Sequence, residues 1–402
     1  MTLLASGSVL RRLRMPVGRA GRAGSMDPAF VVRRDLAAAE ADWRELEARG
    51  VASVYQRYDW LSAWADTVGR AEGVEPAVLV AHRGGRPIAV WPFGITADGP
   101  VRVGRWLGDS HCNYHLGLFA PGEMAAFDEG RCQQALEAVA RAAGIDAFVL
   151  ERQPARWDDV PNPLVAALPS TPSASNGHAC GLPGAFDELL AARNGGHKRK
   201  KHRQKLKQFE AAGDLRLGAP QSLDEAAFVL DSFFEQKAER FAAAGIRDCF
   251  AAPHVRSFFH DLVRRAAGAD PELFELRSLS AGGRLRAIAG LSTHAGRRSI
   301  LFLSYANDDL ARWSPGEILV FALMEEACGR GLATVDFGVG EERYKDSWCD
   351  RTEVLYESTY PVTSAGWIYG LAVRTRDTVK RTIKQNAAAW DLYKKFRRLR
   401  GA

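Results

Sequence analysis

Hydrophobic and polar positions follow the same pattern in two parts of the chain. Residues 76–95 (PAVLVAHRGGRPIAVWPFGI) and 271–292 (PELFELRSLSAGGRLRAIAGLS) each contain an apolar run, a Gly-Gly-Arg turn and a second apolar run. Paired glycines between two β-rich runs predict a tight hairpin, because such turns need positive φ angles. An amphipathic helix is predicted before each hairpin, in DWLSAWADTVGRA from residue 59 and in HVRSFFHDLVRRAA from residue 254. The repeat predicts two related domains in tandem.

The second half continues with a pattern typical of an α+β sandwich. Its predicted elements are helices at 197–212, 224–243 and 254–267, the hairpin at 273–293, the strand SILFLSY at 299–305, a helix at 315–329 and the strand ATVDFG. Three consecutive antiparallel strands followed by a strand–helix–strand crossover predict a mixed, mostly antiparallel sheet flanked by helices.

Length and composition support a two-domain globular protein. The chain has 402 residues, more than one hydrophobic core usually organises, with 47% hydrophobic and 25% charged residues. Its apolar runs are shorter than the ~18 residues that cross a bilayer. Residues 154–184 are rich in Pro, Ser, Gly and Asn, which predicts a loop or linker region. We expect a disordered extension at 1–25, a first domain at 26–185, a second domain at 186–365 and a basic C-terminal helix at 366–402.

The N-terminal 25 residues contain five Arg and no acid. Their apolar stretch precedes the basic cluster, which is the reverse of a secretory signal, so we interpret them as an upstream extension, with an organellar transit peptide as the alternative. The six cysteines are scattered without a CxxC pair, which predicts reduced thiols in a cytoplasmic protein.

The segment HCNYH is a weak candidate for metal binding. His111, Cys112 and His115 have a conceivable spacing, but no second cluster completes a site, so no metal is predicted. Asn113 and Tyr114 of the same segment are expected on a loop that faces a cleft between the domains.

The start of the helix at 315–329 is a candidate anion site. Ser314 can cap the helix, Pro315 suits its first turn, and free N–H groups near Gly316 can hold a phosphate together with Arg312. The alternative is a capped core helix without a ligand, because every helix start needs its N–H groups satisfied.

The stretch VDFGVGEERYKDSW, residues 335–348, contains candidates for acyl-transfer chemistry. Attack on a thioester needs a base, a donor for the oxyanion and often an acid. Asp336 and Glu341 are candidate bases, Tyr344 is a candidate acid, and Lys345 can hold an anionic group. The alternative is a solvated loop in which Tyr344 and Trp348 pack against the sheet edge.

The DFG triplet in this stretch does not indicate a protein kinase. The HRD, GxGxxG and APE motifs that accompany it in kinases do not occur in the chain. A GxSxG elbow is also missing, which favours direct transfer over a covalent enzyme intermediate.

Two basic segments suggest anionic partners. Residues 198–207 hold seven Lys/Arg and no acid, and residues 371–402 hold ten Lys/Arg against two Asp. The first segment can meet a phosphorylated substrate, RNA or an anionic membrane, or it is a solvated helix face. The second segment includes Trp390, Tyr393 and Phe396 and is typical of a helix on a lipid surface; docking onto the protein's own core is the alternative.

Taken together, SYAND…ARWSPGEIL…GLATVDFGVGEERYKDSW resembles the C-terminal domain of the CelD/BcsL-type acetyltransferases linked to cellulose biosynthesis. These belong to the GNAT acyltransferase superfamily, whose tandem-domain relatives include the FemAB-type aminoacyl transferases. The resemblance covers roughly residues 190–360 well and the first half more loosely, through WRELEARG…YQRYDWLSAW.

The resemblance implies tandem GNAT-like domains that bind acyl-CoA in a V-shaped opening between SILFLSY and TVDFG. It places the pyrophosphate at the helix start, on Arg312, Ser314, Pro315 and Gly316. Tyr305, Asn113, Tyr114 and Trp348 would then line the substrate cleft. Pro315 and Glu317 depart from the family pattern, which has Gly and a small residue at these two positions.

We therefore expect a GNAT-type N-acyltransferase that transfers an acetyl or other acyl group from acyl-CoA to an amine or sugar acceptor. Its expected role is envelope or exopolysaccharide biosynthesis, and its expected location is cytoplasmic or peripheral to the inner membrane. One alternative is FemAB-like transfer from aminoacyl-tRNA, with tRNA as a partner. The other is a catalytically silent binding module of a polysaccharide synthase.

Overall fold

The computed structural model describes residues 27–268 and 270–386, which form two mixed β-sheets flanked by helices. The strands in chain order are β1 (Ala29–Arg33), β2 (Glu75–Arg83), β3 (Arg86–Asp98), β4 (Val101–Trp106), β5 (Leu118–Phe119), β6 (Ala147–Pro154), β7 (Arg156–Trp157), β8 (Val160–Pro161), β9 (Ser170–Pro172), β10 (Gly177–Gly181), β11 (Arg216–Gly218), β12 (Glu275–Ala281), β13 (Arg284–His294), β14 (Arg297–Tyr305), β15 (Thr334–Val339), β16 (Arg351–Glu353) and β17 (Leu355–Pro361). The helices are α1 (Glu40–Glu47), α2 (Tyr58–Trp64), α3 (Glu129–Ala143), α4 (Pro163–Ala167), α5 (Phe186–Ala191), α6 (Gly195–Ala211), α7 (Leu223–Ala244), α8 (Pro253–Gly268), α9 (Pro315–Gly329), α10 (Arg343–Asp346) and α11 (Ser364–Gln385).

The two sheets have matching strand orders. The first sheet runs β1-β2-β3-β4-β6-β17-β9, and the second sheet runs β11-β12-β13-β14-β15-β10-β16. Each contains one parallel pair, β4 with β6 and β14 with β15, joined by a helical crossover through α3 or α9. The predicted fold class, tandem α+β units with mostly antiparallel sheets, is confirmed.

The two Gly-Gly-Arg hairpins form as predicted. They join β2 to β3 and β12 to β13, and the paired glycines have φ angles of +57° and +79° in the first turn and +57° and +71° in the second. Positive φ at both central positions is the requirement of a type I′ turn, which only glycine meets without steric cost.

The sheets exchange strands at their parallel ends. In the second sheet β10, from the segment that precedes α5, pairs with β15; in the first sheet β17, near the C-terminal side, pairs with β6. Two predictions are corrected by this pairing. The supposed linker at 154–184 contains four short strands, and residues 355–361, placed with the second domain, lie in the first sheet.

The halves of the chain also share one hydrophobic core. Helix α2 packs against α8, with the rings of Trp60 and Phe258 5.4 Å apart in an edge-to-face arrangement. At the edge of this contact Arg57 forms ion pairs with Glu47 and Asp270, which link α1 to the segment after α8. The shared core fixes the two sheets relative to each other.

The second sheet opens between β14 and β15. Their parallel pairing covers three positions and ends at Ser299 and Asp336. On the other side of β14 the register with β13 shifts between Ile300 and Phe302, so Leu301 is the extra residue of a bulge. A bulge bends its strand and increases its twist, which explains why β14 turns away from β15 here.

Helix α11 packs against the first sheet, with Val373 buried against valines of β4 and β6. The predicted C-terminal helix therefore begins at Ser364, and its part beyond Asn386, including Trp390, lies outside the described residues, as does the extension at 1–25. Within the described ranges, no helix combines the length and apolar character needed to cross a membrane.

A substitution at Gly177, at the start of β10, tests how the exchanged strand packs. A Cβ added there would lie 2.3 Å from the Tyr114 hydroxyl oxygen, and Gly177 has no positive φ, so the constraint is steric. We expect Gly177→Ala to lower the free energy of unfolding by about 1–3 kcal/mol in urea denaturation. Gly196→Ala, in open space within α6, is the matched control and should be neutral or slightly stabilising. Equal stability of the two variants would contradict the packing described for β10.

Candidate functional site

A cleft of about 570 Å³ occupies the opening between β14 and β15. Its walls are the unpaired edge of β14, the end of β15, one face of α7, the start of α9 and the 342–345 segment. Asn113, from the loop after β4, closes one side, so both halves of the chain contribute to the cleft. The opening exists because the sheet bonds stop at the bulge.

Asp336 lies beside the cleft and is fully buried. Its Oδ1 accepts hydrogen bonds from the Tyr114 hydroxyl (2.9 Å) and the Gly338 N–H (2.7 Å), and its Oδ2 accepts one from Arg297 (3.1 Å). Burial raises the pKa of Asp336, while the charge of Arg297 opposes that rise. The carboxylate was predicted as a base, but its oxygens are occupied by these donors and its position favours a positioning role.

The network around Asp336 joins the two halves. Arg297 also pairs with Asp158 at 2.9 Å and stacks over the Trp157 ring, and both residues come from the segment after β6. Burial raises the pKa of the Tyr114 hydroxyl far above its usual value, so Tyr114 remains an O–H donor to Asp336. Tyr114 was predicted in the substrate cleft, and the structure places it in this buried network instead.

Glu341, the second predicted base, points away from the cleft. Its carboxylate accepts a hydrogen bond from His178 at 3.0 Å, and more than half of its side chain is exposed. The neighbouring Glu342 lines the cleft.

Tyr344 and Lys345 do line the cleft. Burial raises the pKa of the half-buried Tyr344, so its hydroxyl stays protonated at neutral pH. The Lys345 ammonium is buried, donates to the carbonyl oxygens of Gly340 (3.1 Å) and Gly338 (3.3 Å), and pairs with Glu342 at 2.7 Å. Lys345 therefore holds the loop after β15 in place, and Glu342 offsets its charge.

The start of α9 differs from the predicted cap. Ser314 has φ 55° and ψ 66°, a left-handed conformation, and its side chain makes no cap hydrogen bond. Gly316 is buried at the cleft wall beside Leu303, Pro315 occupies the first turn, and Arg312 is exposed near the Trp313 ring. Ser314 and Gly316 line the cleft, so the helix start opens onto it.

Glu317 places a carboxylate at this helix start, and the basic helix α6 neutralises it. Its carboxylate pairs with Lys205 at 2.7 Å and with Lys201 at 3.3 Å. Burial acts to raise its pKa, but the two lysines outweigh burial and lower it. The acid therefore does not leave a net negative charge at the helix start.

A second cavity, of about 360 Å³, lies between α6, α9 and α10. It shares Glu317, Arg343 and Tyr344 with the cleft and is lined by Lys198, Lys201 and Lys205. Trp348, predicted in the substrate cleft, lines this second cavity, with the Lys198 ammonium 4.3 Å above its ring.

The remaining predicted cleft residues, Tyr305 and Asn113, line the cleft. Tyr305 lines the wall of β14, with the Arg240 guanidinium 4.3 Å above its ring. Asn113 donates to the Tyr55 hydroxyl oxygen at 2.8 Å and lies against Gly338, where an added Cβ would be 2.7 Å from the amide nitrogen. Gly338 is required here both by its φ of +70° and by this contact.

Sequence reasoning missed Lys237 and Arg240 on α7. Both line the cleft, and burial lowers the pKa of Lys237 to about 8. The signal was available in EQKAERF, where the two cations stand three residues apart and so share one helix face. Nothing in that spacing distinguishes a cleft from solvent.

The comparisons with known proteins agree with this geometry. Residues 196–346 match the family model described as "Acetyltransferase (GNAT) domain". This segment is therefore similar to a GNAT acetyltransferase domain. The match identifies the enzyme class as acyltransferase, as the sequence predicted. A search of curated proteins gave no match.

Two solved structures share the fold over most of the chain. The crystal structure of FemX is 13% identical, with a TM-score of 0.61, and the alignment covers 85% of this chain and 99% of FemX. The C-terminal domain of a putative lysylphosphatidylglycerol synthetase from Agrobacterium fabrum is 12% identical, with a TM-score of 0.52, covering 86% and 96%. At these identities the similarity shows the fold alone, and it extends beyond the GNAT domain to the first sheet.

Asp336 can be tested against its predicted role as a base. Asp336→Asn leaves Arg297 without one buried partner, so we expect the free energy of unfolding to fall by about 3 kcal/mol in urea denaturation. Glu341→Gln, an exposed carboxylate in the same stretch, should change it by less than about 0.5 kcal/mol. Unchanged stability of Asp336→Asn would contradict the positioning role and favour the base.

Proposed function

We propose that this chain transfers an acyl group from acyl-CoA to an amine or sugar acceptor in the cleft between β14 and β15. The observation that carries the proposal is the open edge of β14 with the start of α9 at the same cleft. A helix start attracts phosphate groups, and an open strand edge offers N–H and C=O groups to an extended ligand arm.

The residues present fit a phosphate-bearing donor. Gly316 leaves room at the helix start, and the lysines of α6 compensate the carboxylate of Glu317. Arg312, over the Trp313 ring, is exposed four residues before Gly316. Bound acyl-CoA supplies an activated thioester carbonyl. N–H groups at the open edge of β14, next to the bulge at Leu301, are placed to stabilise negative charge on that oxygen.

Proton transfer falls to the side chains that line the cleft. Lys237, with a pKa of about 8, is partly neutral near that pH and can accept a proton from an attacking amine. Tyr344 keeps its proton and can donate it to the leaving thiolate. Arg240 supplies positive charge for an anionic acceptor.

Donor binding is tested by titration calorimetry with CoA. We expect binding in the micromolar range and at least a tenfold loss in Gly316→Glu, because the new carboxylate enters the helix start where phosphate binds. Gly329→Glu, at the opposite end of α9 where an added side chain meets open space, is the matched control and should bind normally.

The same titration separates the alternatives. Binding of aminoacyl-tRNA but not CoA would replace the proposal with FemAB-like transfer, which the lysine-lined cavity beside α9 would suit. If the chain binds neither CoA nor aminoacyl-tRNA, it is a binding module that does not transfer acyl groups.

We further propose a role in envelope or exopolysaccharide biosynthesis at the surface of the inner membrane, as expected for a CelD/BcsL-type enzyme. Support comes from α11. Trp367, Ile368 and Leu371 are 60%, 68% and 54% exposed on its outer side, while Arg374 and Arg381 bond to carbonyl groups of the first sheet. An apolar face on a strongly basic segment suits an anionic lipid surface.

Membrane association is tested by flotation with vesicles. The full chain should float with vesicles containing phosphatidylglycerol and not with pure phosphatidylcholine. Replacing Trp367 and Leu371 by Ser should reduce binding about tenfold, since both apolar contacts are lost. Phe228→Ser removes a 63% exposed aromatic side chain from α7 and should leave flotation unchanged. Equal flotation of the double variant would reject α11 as the contact surface.

A further inference from the structure

A small cavity of about 120 Å³ adjoins the cleft at the bulge of β14. Four residues line both spaces: Asn113, Phe250, Leu301 and Phe302. We call this space the inner cavity. Its remaining walls are Tyr55, Trp60, Ser110 and His111 from the first half of the chain and Cys249 and Phe259 from the second.

The inner cavity and the cleft differ in chemistry. The cleft is lined by Lys237, Arg240, Glu342, Arg343 and Lys345, whereas no Asp, Glu, Lys or Arg is among the residues that line the inner cavity. A bound molecule with charged and apolar parts would therefore place its apolar end in the inner cavity, because burying charge there has no compensating partner.

The polar groups at the inner cavity are neutral and held in place. Trp64 donates its indole N–H to His111 Nδ1 at 3.1 Å, and burial lowers the pKa of His111 to about 4, so the imidazole is uncharged at pH 7. The Tyr55 hydroxyl oxygen accepts from Asn113, and burial raises its pKa well above the usual value. Trp60, Phe250 and Phe302 supply aromatic walls.

Position and size together point to one occupant. The bulge marks the point where the strands part, and the inner cavity adjoins the cleft there with a lining that contains no charged side chain. A volume of 120 Å³ is far larger than a methyl group needs, and apolar cavities of ~150 Å³ in other proteins hold a benzene molecule.

We propose that the inner cavity is an acyl-chain subsite, and that the group transferred is an apolar chain of about four to six carbon atoms rather than acetyl. The subsite rests on the proposed function, since it assigns the acyl end of the donor whose phosphates bind at α9. Asn113 and Leu301 stand at its entrance, and Cys249 and Ser110 form walls that do not touch the cleft.

Calorimetric titration of the full chain with CoA, acetyl-CoA, butyryl-CoA, hexanoyl-CoA and decanoyl-CoA tests the subsite. Each methylene buried from acetyl to hexanoyl should tighten binding about fourfold. Decanoyl-CoA should gain nothing further, because the cavity is full. Equal affinities from acetyl to hexanoyl, with CoA itself binding, overturn the subsite and leave the proposed donor intact.

Variants that fill the inner cavity provide a second test of the acyl-chain subsite. Cys249→Trp should remove the advantage of butyryl- and hexanoyl-CoA and leave the affinity for CoA unchanged, while Cys249→Ser keeps the chain-length profile. Ser110→Phe, on the opposite wall, should act as Cys249→Trp does and serves if that variant misfolds. An unchanged profile in a filled variant that binds CoA overturns the subsite. Failure of the unmodified chain to bind CoA or any thioester overturns the proposed function and the subsite with it.

Discussion

The buried carboxylate of Asp336 is the interaction on which the site depends. It lies at the last paired position of β14 and β15, so its bonds to Arg297 and Tyr114 hold the sheet together where the cleft begins. Because Tyr114 comes from the first half of the chain, the same carboxylate fixes the first half against the opening. A buried ion pair contributes little net stability, but leaving one partner alone is costly. The pair of Asp336 and Arg297 therefore selects this one arrangement of the strands more than it stabilises the fold. The start of the loop after β15 is held by the same carboxylate, through the Gly338 N–H.

The parts of the fold that rest on local patterns were predictable. Paired glycines fixed both hairpins, and the apolar residues of α9 with Pro315 at its start fixed that helix. The strand exchange was not predictable, because β9, β10 and β16 have three to five residues each and lie in segments with the composition of loops. Their pairing is decided by partners more than 150 residues away, and no pattern within the strands reports that partner.

The candidate site was predicted at the level of segments and less well at the level of side chains. The stretch from Asp336 to Lys345 does border the cleft, yet Asp336 and Glu341 face elsewhere. On a strand, neighbouring residues face opposite sides: Val335 and Phe337 pack toward α9, so Asp336 faces the first half. The sequence does not say which side is the cleft. Lys237 was missed for a related reason, because a cation on an amphipathic helix has the same pattern in solvent and at a cleft.

The residues around the cleft also explain how a carboxylate, Glu317, can stand at the start of α9. Glu317 would weaken phosphate binding if it stood alone, because a carboxylate competes for the same N–H groups and repels the ligand. In this chain α6 lies beside it and places Lys201 and Lys205 against it. The pair of lysines and one carboxylate leaves a net positive charge at the helix start, and an arriving phosphate can share the lysines without either cation being buried unpaired. The acid at position 317 and the basic helix are therefore one arrangement, in which Lys201 and Lys205 offset the carboxylate.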